Sequence, residues 1–235
     1  MKLYVFSDFH LSGDPPTKPM DIFGENWKNH REKILSAWKE TITAGDTVIM
    51  AGDISWATHL EDALSDLKTL SALTGRKIIV RGNHDYWWNT VSKMKRMTDN
   101  AFEFIFNSAL SVENIALAGT RGWIPETSKK ITEEDKVIIL REQGRLERSL
   151  IEAEKFNCEK IFAILHYPPF DEQRRPTKMM EIMKSHGVTD CIYGYIHGNQ
   201  NFNNLPKELE GIQLHLTSSD YLDFKPLLLT EWDES

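Results

Sequence analysis

Short apolar runs alternate with amphipathic stretches along the 235 residues. The runs Leu3–Phe6, Thr47–Ala51, Ile78–Val80, Ile115–Ala118, Ile161–Leu165, Cys191–Tyr193, Leu214–Leu216 and Leu227–Leu229 predict strands. Each is short, and they lead into Gly, Asp, His or Pro, as strands buried between layers do. Between them, Leu60, Ala63, Leu64, Leu67 and Leu70 follow the spacing of a helix with one buried face. Ile139, Leu146, Leu150 and Ala153 do the same after Thr132. That segment begins Thr132-Glu133-Glu134-Asp135, an N-cap followed by acids placed against the helix dipole. The Glu and Arg residues further along it read as a solvated face. Strands alternating with helices predict an α/β sheet sandwich with functional groups at the carboxyl ends of the strands. No repeat, low-complexity tract or linker interrupts the pattern, so residues 1–235 are expected to form a single domain.

Composition narrows the class. Apolar residues make up 40% and charged residues 27%, ordinary for a globular chain. With 28 Lys and Arg against 35 Asp and Glu the formal net charge is −7, which disfavours a generic nucleic-acid or anionic-membrane binder. A local pocket for one anionic substrate stays compatible with that balance. Cys158 and Cys191 form no CxxC pair and read as reduced core thiols. Asp8 interrupts the first apolar run, so that run is not a signal-peptide core, and the longest unbroken apolar run is far short of a membrane span. A soluble, reducing, cytoplasmic setting is the expectation.

The chemistry-bearing residues collect at five successive strand ends. These are Asp8-Phe9-His10, Gly52-Asp53, Gly82-Asn83-His84-Asp85, His166-Tyr167-Pro168-Pro169 and Gly194-Tyr195-Ile196-His197-Gly198. In extended chain, residues two apart point to the same side, so Asp8 and His10 can converge on one ion. Gly52 lets the backbone turn and presents Asp53. Taken singly, an Asp or Asn after a strand is a turn former, and a lone His is a hydrogen-bonded structural residue. Together, carboxylate, amide and imidazole without thiolate suit Mn, Fe or Zn, and carboxylates at two positions suit a bridged pair of ions.

This series resembles the calcineurin-like metallophosphoesterases, whose motifs run D-x-H, G-D, G-N-H-D/E, a lone His, and G-H-x-H. Here they stand as Asp8/His10, Gly52-Asp53, Gly82-Asn83-His84-Asp85, His166 and Gly194-Tyr195-Ile196-His197. The segments Asp21–Trp27, Asn83–Trp88 and His166–Phe170 also look like a bacterial branch of predicted phosphohydrolases. The resemblance implies a four-layer αββα sandwich of two mixed sheets flanked by helices. It implies that Asp8, His10 and His197 hold one metal, that Asn83 and His166 hold a second, and that Asp53 bridges them. Asn83 also approaches the substrate, and His84 sits over the phosphate as general acid or hydrogen-bond donor to the leaving group. The implied activity is hydrolysis of a phosphomonoester or phosphodiester by a metal-activated hydroxide, the two charges also offsetting the phosphoryl oxygens.

Two departures stand out. Tyr195 occupies the first His position of G-H-x-H. Three readings compete: an ionised phenol as ligand, water in its place with a weakened second site, or a lost second site. The weakened second site is the favoured one. Trp56 stands three residues after Asp53, where protein phosphatases of this family carry an Asp that supports the catalytic His. Asp85 either hydrogen-bonds near His84 or caps the following segment.

Substrate contacts are less defined. Arg121, after a strand, is either a bidentate phosphate donor or a solvated turn residue. Tyr86, Trp87 and Trp88 either stack on a base or, as favoured, belong to the core. Arg174 and Arg175 line the rim of a cleft or lie on the surface. The rival to an enzyme is a catalytically impaired phosphate- or metal-binding module of the same fold. A nucleotide-binding domain is disfavoured, because neither G-x-G-x-x-G nor G-x-x-x-x-G-K-[ST] occurs. G-x-S-x-G and H-E-x-x-H are absent too.

Overall fold

The computed structural model describes residues 1–232. Two compact units form it: Met1–Phe104 with the chain from Thr217 onward, and Ile105–Leu216.

In the first unit a five-stranded sheet contains β1 (Lys2–Phe6), β2 (Thr47–Met50), β3 (Arg76–Val80) and β4 (Glu103–Ile105), and the C-terminal strand β11 (Leu227–Glu231) closes its far edge in the order β11-β1-β2-β3-β4. β1, β2 and β3 run parallel, with Leu3 opposite Thr47 and Thr47 opposite Arg76, while β11 is antiparallel to β1. Helices α1 (His30–Thr41), α2 (Leu60–Ser71) and α3 (Val91–Met97) connect the strands. Alternation of side chains along a strand puts Tyr4, Phe6, Val48, Met50 and Ile79 in one core with Ile34 and Trp38 of α1 and Leu60, Ala63, Leu67 and Leu70 of α2. The intervening Leu3, Val5, Ile49, Ile78 and Val80 are buried as well. Strands covered on both faces must be apolar at every position, which is why these three stand out as unbroken runs.

In the second unit β5 (Ala109–Val112), β6 (Ile115–Thr120), β7 (Lys160–Leu165), β8 (Asp190–Tyr193), β9 (Glu208–Leu209) and β10 (Ile212–Leu216) form a sheet in the order β5-β6-β7-β8-β10-β9. The four central strands are parallel, and the two edge strands are antiparallel to their neighbours. Ala116, Ala118, Ala163, Leu165, Cys191, Tyr193, Leu214 and Leu216 face α4 (Glu133–Glu154) and α5 (Lys178–Ser185) through Leu146, Leu150, Ala153, Met179, Met180 and Met183. Thr132 caps α4 as expected, and its box is complete: its hydroxyl accepts from the Asp135 amide and the Asp135 carboxylate accepts from the Thr132 amide. Such a cap stabilises a helix by about 1 kcal/mol.

All eight expected strands are present, and the chain is α/β with two mixed sheets and flanking helices. Three strands escaped the sequence pattern, β4, β5 and β9, and all three are sheet edges. β4 and β9 are only three and two residues long, and β5 carries a Ser among its four half-buried or buried positions, so none leaves an apolar run like that of β11, which is also an edge. The two cysteines are free thiols. Cys191 lies in the second core, where burial pushes its thiol pKa up, whereas Cys158 is only partly buried against that core. No helix among the described residues is long and apolar enough to cross a membrane.

Candidate active site

Parallel pairing in register brings the carboxyl ends of β1, β2 and β3 to one edge, and there the chain presents Asp8, His10, Asp53, Asn83 and His84. Pairing continues past the strands: the amides of Asp8, His10 and Leu11 donate to the carbonyls of Gly52, Asp53 and Ile54 at 2.9, 3.0 and 3.0 Å. Asp8, His10 and Asp53 all have positive φ, at 59°, 49° and 55°. Left-handed backbone at a non-glycine residue costs on the order of 1 kcal/mol and persists where surroundings over-determine it. Asp8 and His10 therefore converge through two reversals of the chain and not through the strand alternation expected for them.

The surroundings that impose this conformation are visible. The Ser7 hydroxyl donates to the Asp8 carboxylate, and Ser7 is in turn held by Thr217 and Ser219. Gly82 lies so close to Asp53 that a Cβ there would sit 2.1 Å from Asp53 Oδ1, so only glycine fits. Asp85 is fully buried and accepts from the amides of Gly82 (2.7 Å), Asp53 (3.0 Å) and Ile54 (2.9 Å) and from the Trp87 indole (3.0 Å). Of the two readings of Asp85, hydrogen bonding holds, and its partners are the backbone of the β2 and β3 loops together with an indole. Asp66 on α2 does a similar job one layer out: it accepts from the Gly13 amide and the Ser55 hydroxyl, and burial raises its pKa.

The donor set fits a metal ion. His10 Nε2 lies 3.9 Å from Asp8 Oδ1 and 3.8 Å from Asp53 Oδ2. These separations are too long for hydrogen bonds. They lie within the span of about 4.2 Å open to two donors that are each about 2.1 Å from one ion. All three residues are buried. Two carboxylates and an imidazole so held suit a divalent ion of borderline or hard character.

Trp56 stands where protein phosphatases of the family carry an acidic residue that supports the catalytic His. Its ring stacks on His10, with centroids 4.9 Å apart and planes 24° apart, and packs on His84 at 4.3 Å. The His84 amide donates to Asp53 Oδ1 at 2.8 Å. In the sequence Trp56 shows only as a missing acid, and Ser7 carries no signal, because an indole or a hydroxyl beside a motif does not reveal what it packs on. Trp87 is buried as expected, but Tyr86 is 59% exposed and lies beside His84, ring centroids 6.2 Å apart, outside the core. Polar Asn83, His84 and Asp85 precede it, so it continues a turn.

The second unit presents Arg121, His166, Tyr195 and His197 at the carboxyl ends of β6, β7 and β8. His166 is fully buried, its amide donating to the Arg121 carbonyl (2.9 Å) and its carbonyl accepting from the Gly194 amide (3.1 Å). The Arg121 side chain is enclosed: its guanidinium lies 4.2 Å from the Trp123 ring centroid and 3.5 Å from the buried Glu142. It is thus not a solvated turn residue. Glu142 also takes the Thr120 hydroxyl and Arg145. Tyr195 is left-handed, at φ 71°, and 38% exposed, and its ring lies on that of Tyr167 with centroids 4.2 Å apart. Tyr195 and His197 border a cavity of about 450 Å³ that Arg174 also lines. Arg175 instead pairs with Asp171 at 2.7 Å. Burial works to raise the Asp171 pKa, but hydrogen bonds from Arg175 and Gln173 outweigh it and hold the carboxyl below its ordinary value.

A family model described as calcineurin-like phosphoesterase matches residues 1–199. No curated protein matches the chain. Solved structures with a similar fold include phosphopantetheinyl hydrolase from Mycobacterium tuberculosis, 13% identical over 100% of this chain and 98% of that one, TM-score 0.55. The calcineurin-like phosphoesterase YfkN from Bacillus subtilis is 13% identical over 99% and 86%, TM-score 0.53. A protein of unknown function from Aquifex aeolicus is 18% identical over 97% and 95%, TM-score 0.53. At such identities the likeness is one of fold alone.

Proposed function

The chain belongs to the calcineurin-like phosphoesterase family, and on that premise we propose which residues carry its metal-dependent phosphoester hydrolysis. The observation that carries the proposal is the buried trio Asp8, His10 and Asp53, with donors 3.8 and 3.9 Å apart in a backbone its neighbours force into place. The order of motifs along the chain supports assigning Asp8, His10 and His197 to one ion, Asn83 and His166 to another, and Asp53 to both. Bound ions supply Lewis-acid charge that lowers the pKa of water and offsets the negative phosphoryl oxygens. His84, its amide tied to Asp53 and its ring packed on Trp56, is the group that donates to the departing ester oxygen through an imidazole nitrogen. Tyr195 packs its ring on Tyr167 and stands where the family carries an imidazole, which supports a second ion held more weakly than the first. Mn, Fe and Zn all match the donor set, and the placement is cytoplasmic.

Elemental analysis of protein purified without added metal, combined with turnover of p-nitrophenyl phosphate and its bis-ester in Mn, Fe, Co or Zn, tests this reading. One retained equivalent of metal, metal-stimulated turnover, and loss of about two to three orders of magnitude in Asp53→Ala are expected, since the charge removed amounts to several kcal/mol. Tyr195→His is expected to raise the metal content toward two equivalents. Absence of turnover in every metal would instead leave a metal-binding module. Two tightly held equivalents in the unaltered protein, unchanged by Tyr195→His, would end the weakened-site proposal.

A further inference from the structure

Two buried carboxylates tie together the three loops at the metal edge of the first unit. Asp85 joins the loops after β2 and β3. Asp66, on α2 and only 3% exposed, joins the loops after β1 and β2. One of its oxygens accepts the Gly13 amide at 2.8 Å, and the other accepts the Ser55 hydroxyl at 2.6 Å. Gly13 comes three residues after His10, and Ser55 two residues after Asp53. The chemistry assigned to this edge does not use Asp66.

What Asp66 controls lies one residue beyond Ser55. The same Ser55 oxygen that donates to Asp66 accepts the Ala57 amide at 3.2 Å. Trp56 stands between these two residues, and its own amide donates to the Leu11 carbonyl at 2.8 Å. Its backbone is therefore held on both sides, and its indole N–H donates to the Met20 sulfur at 3.3 Å. So held, the ring packs on His10 and His84, with centroids 4.9 and 4.3 Å away. The loop after β1 has a second brace from α1. The Arg31 guanidinium lies 3.2 Å from the Asp14 carboxylate and 3.4 Å from the Thr69 hydroxyl of α2. A buried carboxylate with two such donors is rigid, because releasing either donor leaves a desolvated group without a partner.

We propose that Asp66 is a positioning residue for His84, acting through Ser55 and Trp56. It touches no reacting atom. Its carboxylate fixes the path of the loop after β2, that path fixes the plane of the indole, and the indole fixes the imidazole. Proton donation to a departing oxygen falls steeply when the donor is displaced by as little as about 1 Å. The inference rests on the reading of His84 as that donor, whereas the packing behind it exists with or without turnover. An effect carried through Trp56 also has a ceiling: it stays at or below the effect of removing the indole.

A double-mutant cycle tests it with Asp66→Asn, which keeps the volume and replaces one acceptor by a donor. Where Trp56 is present, Asp66→Asn is expected to lower kcat about 5- to 50-fold, with KM within about threefold and metal content unchanged. In Trp56→Ala protein the same substitution is expected to cost less than about threefold. Ser55→Ala leaves Asp66 in place and removes one bond, and it should show a smaller loss with the same dependence on Trp56. If Asp66→Asn does not fold, Ser55→Ala carries the cycle by itself. Equal losses with and without the indole would overturn the proposal, as would an unchanged kcat or a loss confined to metal content.

Histidine-ring NMR of metal-depleted protein reads the same packing without turnover. Ring currents of Trp56 should displace the His84 ring protons, assigned by their loss in His84→Gln. Asp66→Asn should move those signals most of the way to their Trp56→Ala positions. Signals that stay in place in folded Asp66→Asn protein would overturn the positioning role even if activity fell. Absence of turnover in every metal, with the His84 signals shifting as expected, would defeat the phosphoesterase reading and leave the positioning of His84 standing.

Discussion

The chemistry-bearing edges of the two sheets are built in opposite ways. In the first unit four polar site residues are tied down: Asp8 by Ser7, Asp53 by Gly82 and Asp85, and His84 and His10 by one indole. In the second, His166 is buried and hydrogen-bonded through its backbone, but Tyr195 is exposed at the mouth of an open cavity. Phosphoryl chemistry is the same for every substrate and rewards donors fixed to within a fraction of an ångström. The first edge is over-determined by its neighbours, whereas the second leaves an aromatic residue exposed at an open cavity.

That contrast breaks first at Asp85. Asp85→Ala would strip the acceptor from three buried amides and an indole, and a loss of about 3–5 kcal/mol is expected in urea unfolding, with metal content falling alongside. A loss under about 1 kcal/mol would show that the first edge is not over-determined. Trp56 comes next. Trp56→Ala frees the rings of both His10 and His84 and is expected to lower kcat roughly 10- to 100-fold with KM little changed, while Trp56→Phe recovers most of it. Equal rates in the two variants would remove the indole from any positioning role.

Smaller effects sharpen the comparison. Asp46 anchors the turn into β2: burial works to raise its pKa, but the Thr43 amide and hydroxyl and the Lys2 amide outweigh that and hold the carboxyl below its ordinary value. A depressed carboxyl contributes stability above its unfolded pKa, and that contribution is lost as pH falls through the folded value. Asp46→Asn should therefore be less stable by about 1–2 kcal/mol at pH 7, with the gap closing below about pH 4. Thermal melts from pH 3 to 7 read it directly. The smallest change is expected at Tyr195. Tyr195→Gly relieves left-handed strain at an exposed position and should shift stability by no more than about 1 kcal/mol. A large destabilisation there would make the second edge as rigid as the first.

Much of the architecture was legible in the chain. The central strands announced themselves because burial on both faces demands apolar residues at consecutive positions, as at Val48–Met50 and Phe162–Leu165. Thr132 and Asp135 marked a helix start, since capping is a local interaction between near neighbours. The edge strands β4, β5 and β9 and the helices α1, α3 and α5 were not legible, because their register and burial depend on neighbours distant in sequence. Residue type was equally informative at the site: carboxylates and imidazoles at the ends of successive strands already specify oxygen and nitrogen donors for a hard or borderline ion. Four of the eight histidines lie in those motifs.

Tertiary structure alone decided how those donors are aimed. Asp8 and His10 were expected to converge by strand alternation and instead converge through two left-handed residues, a conformation imposed by the Gly52 and Asp53 carbonyls on the neighbouring strand's loop. Trp56 and Asp85 acquired their roles in the same way, from groups on the loop of the adjacent strand, for Asp85 31 and 32 residues away in sequence. Local sequence carries propensity and chemistry, since both reside in individual side chains and near neighbours. Orientation, burial and strain come from long-range packing, so they appear only when the strands have paired.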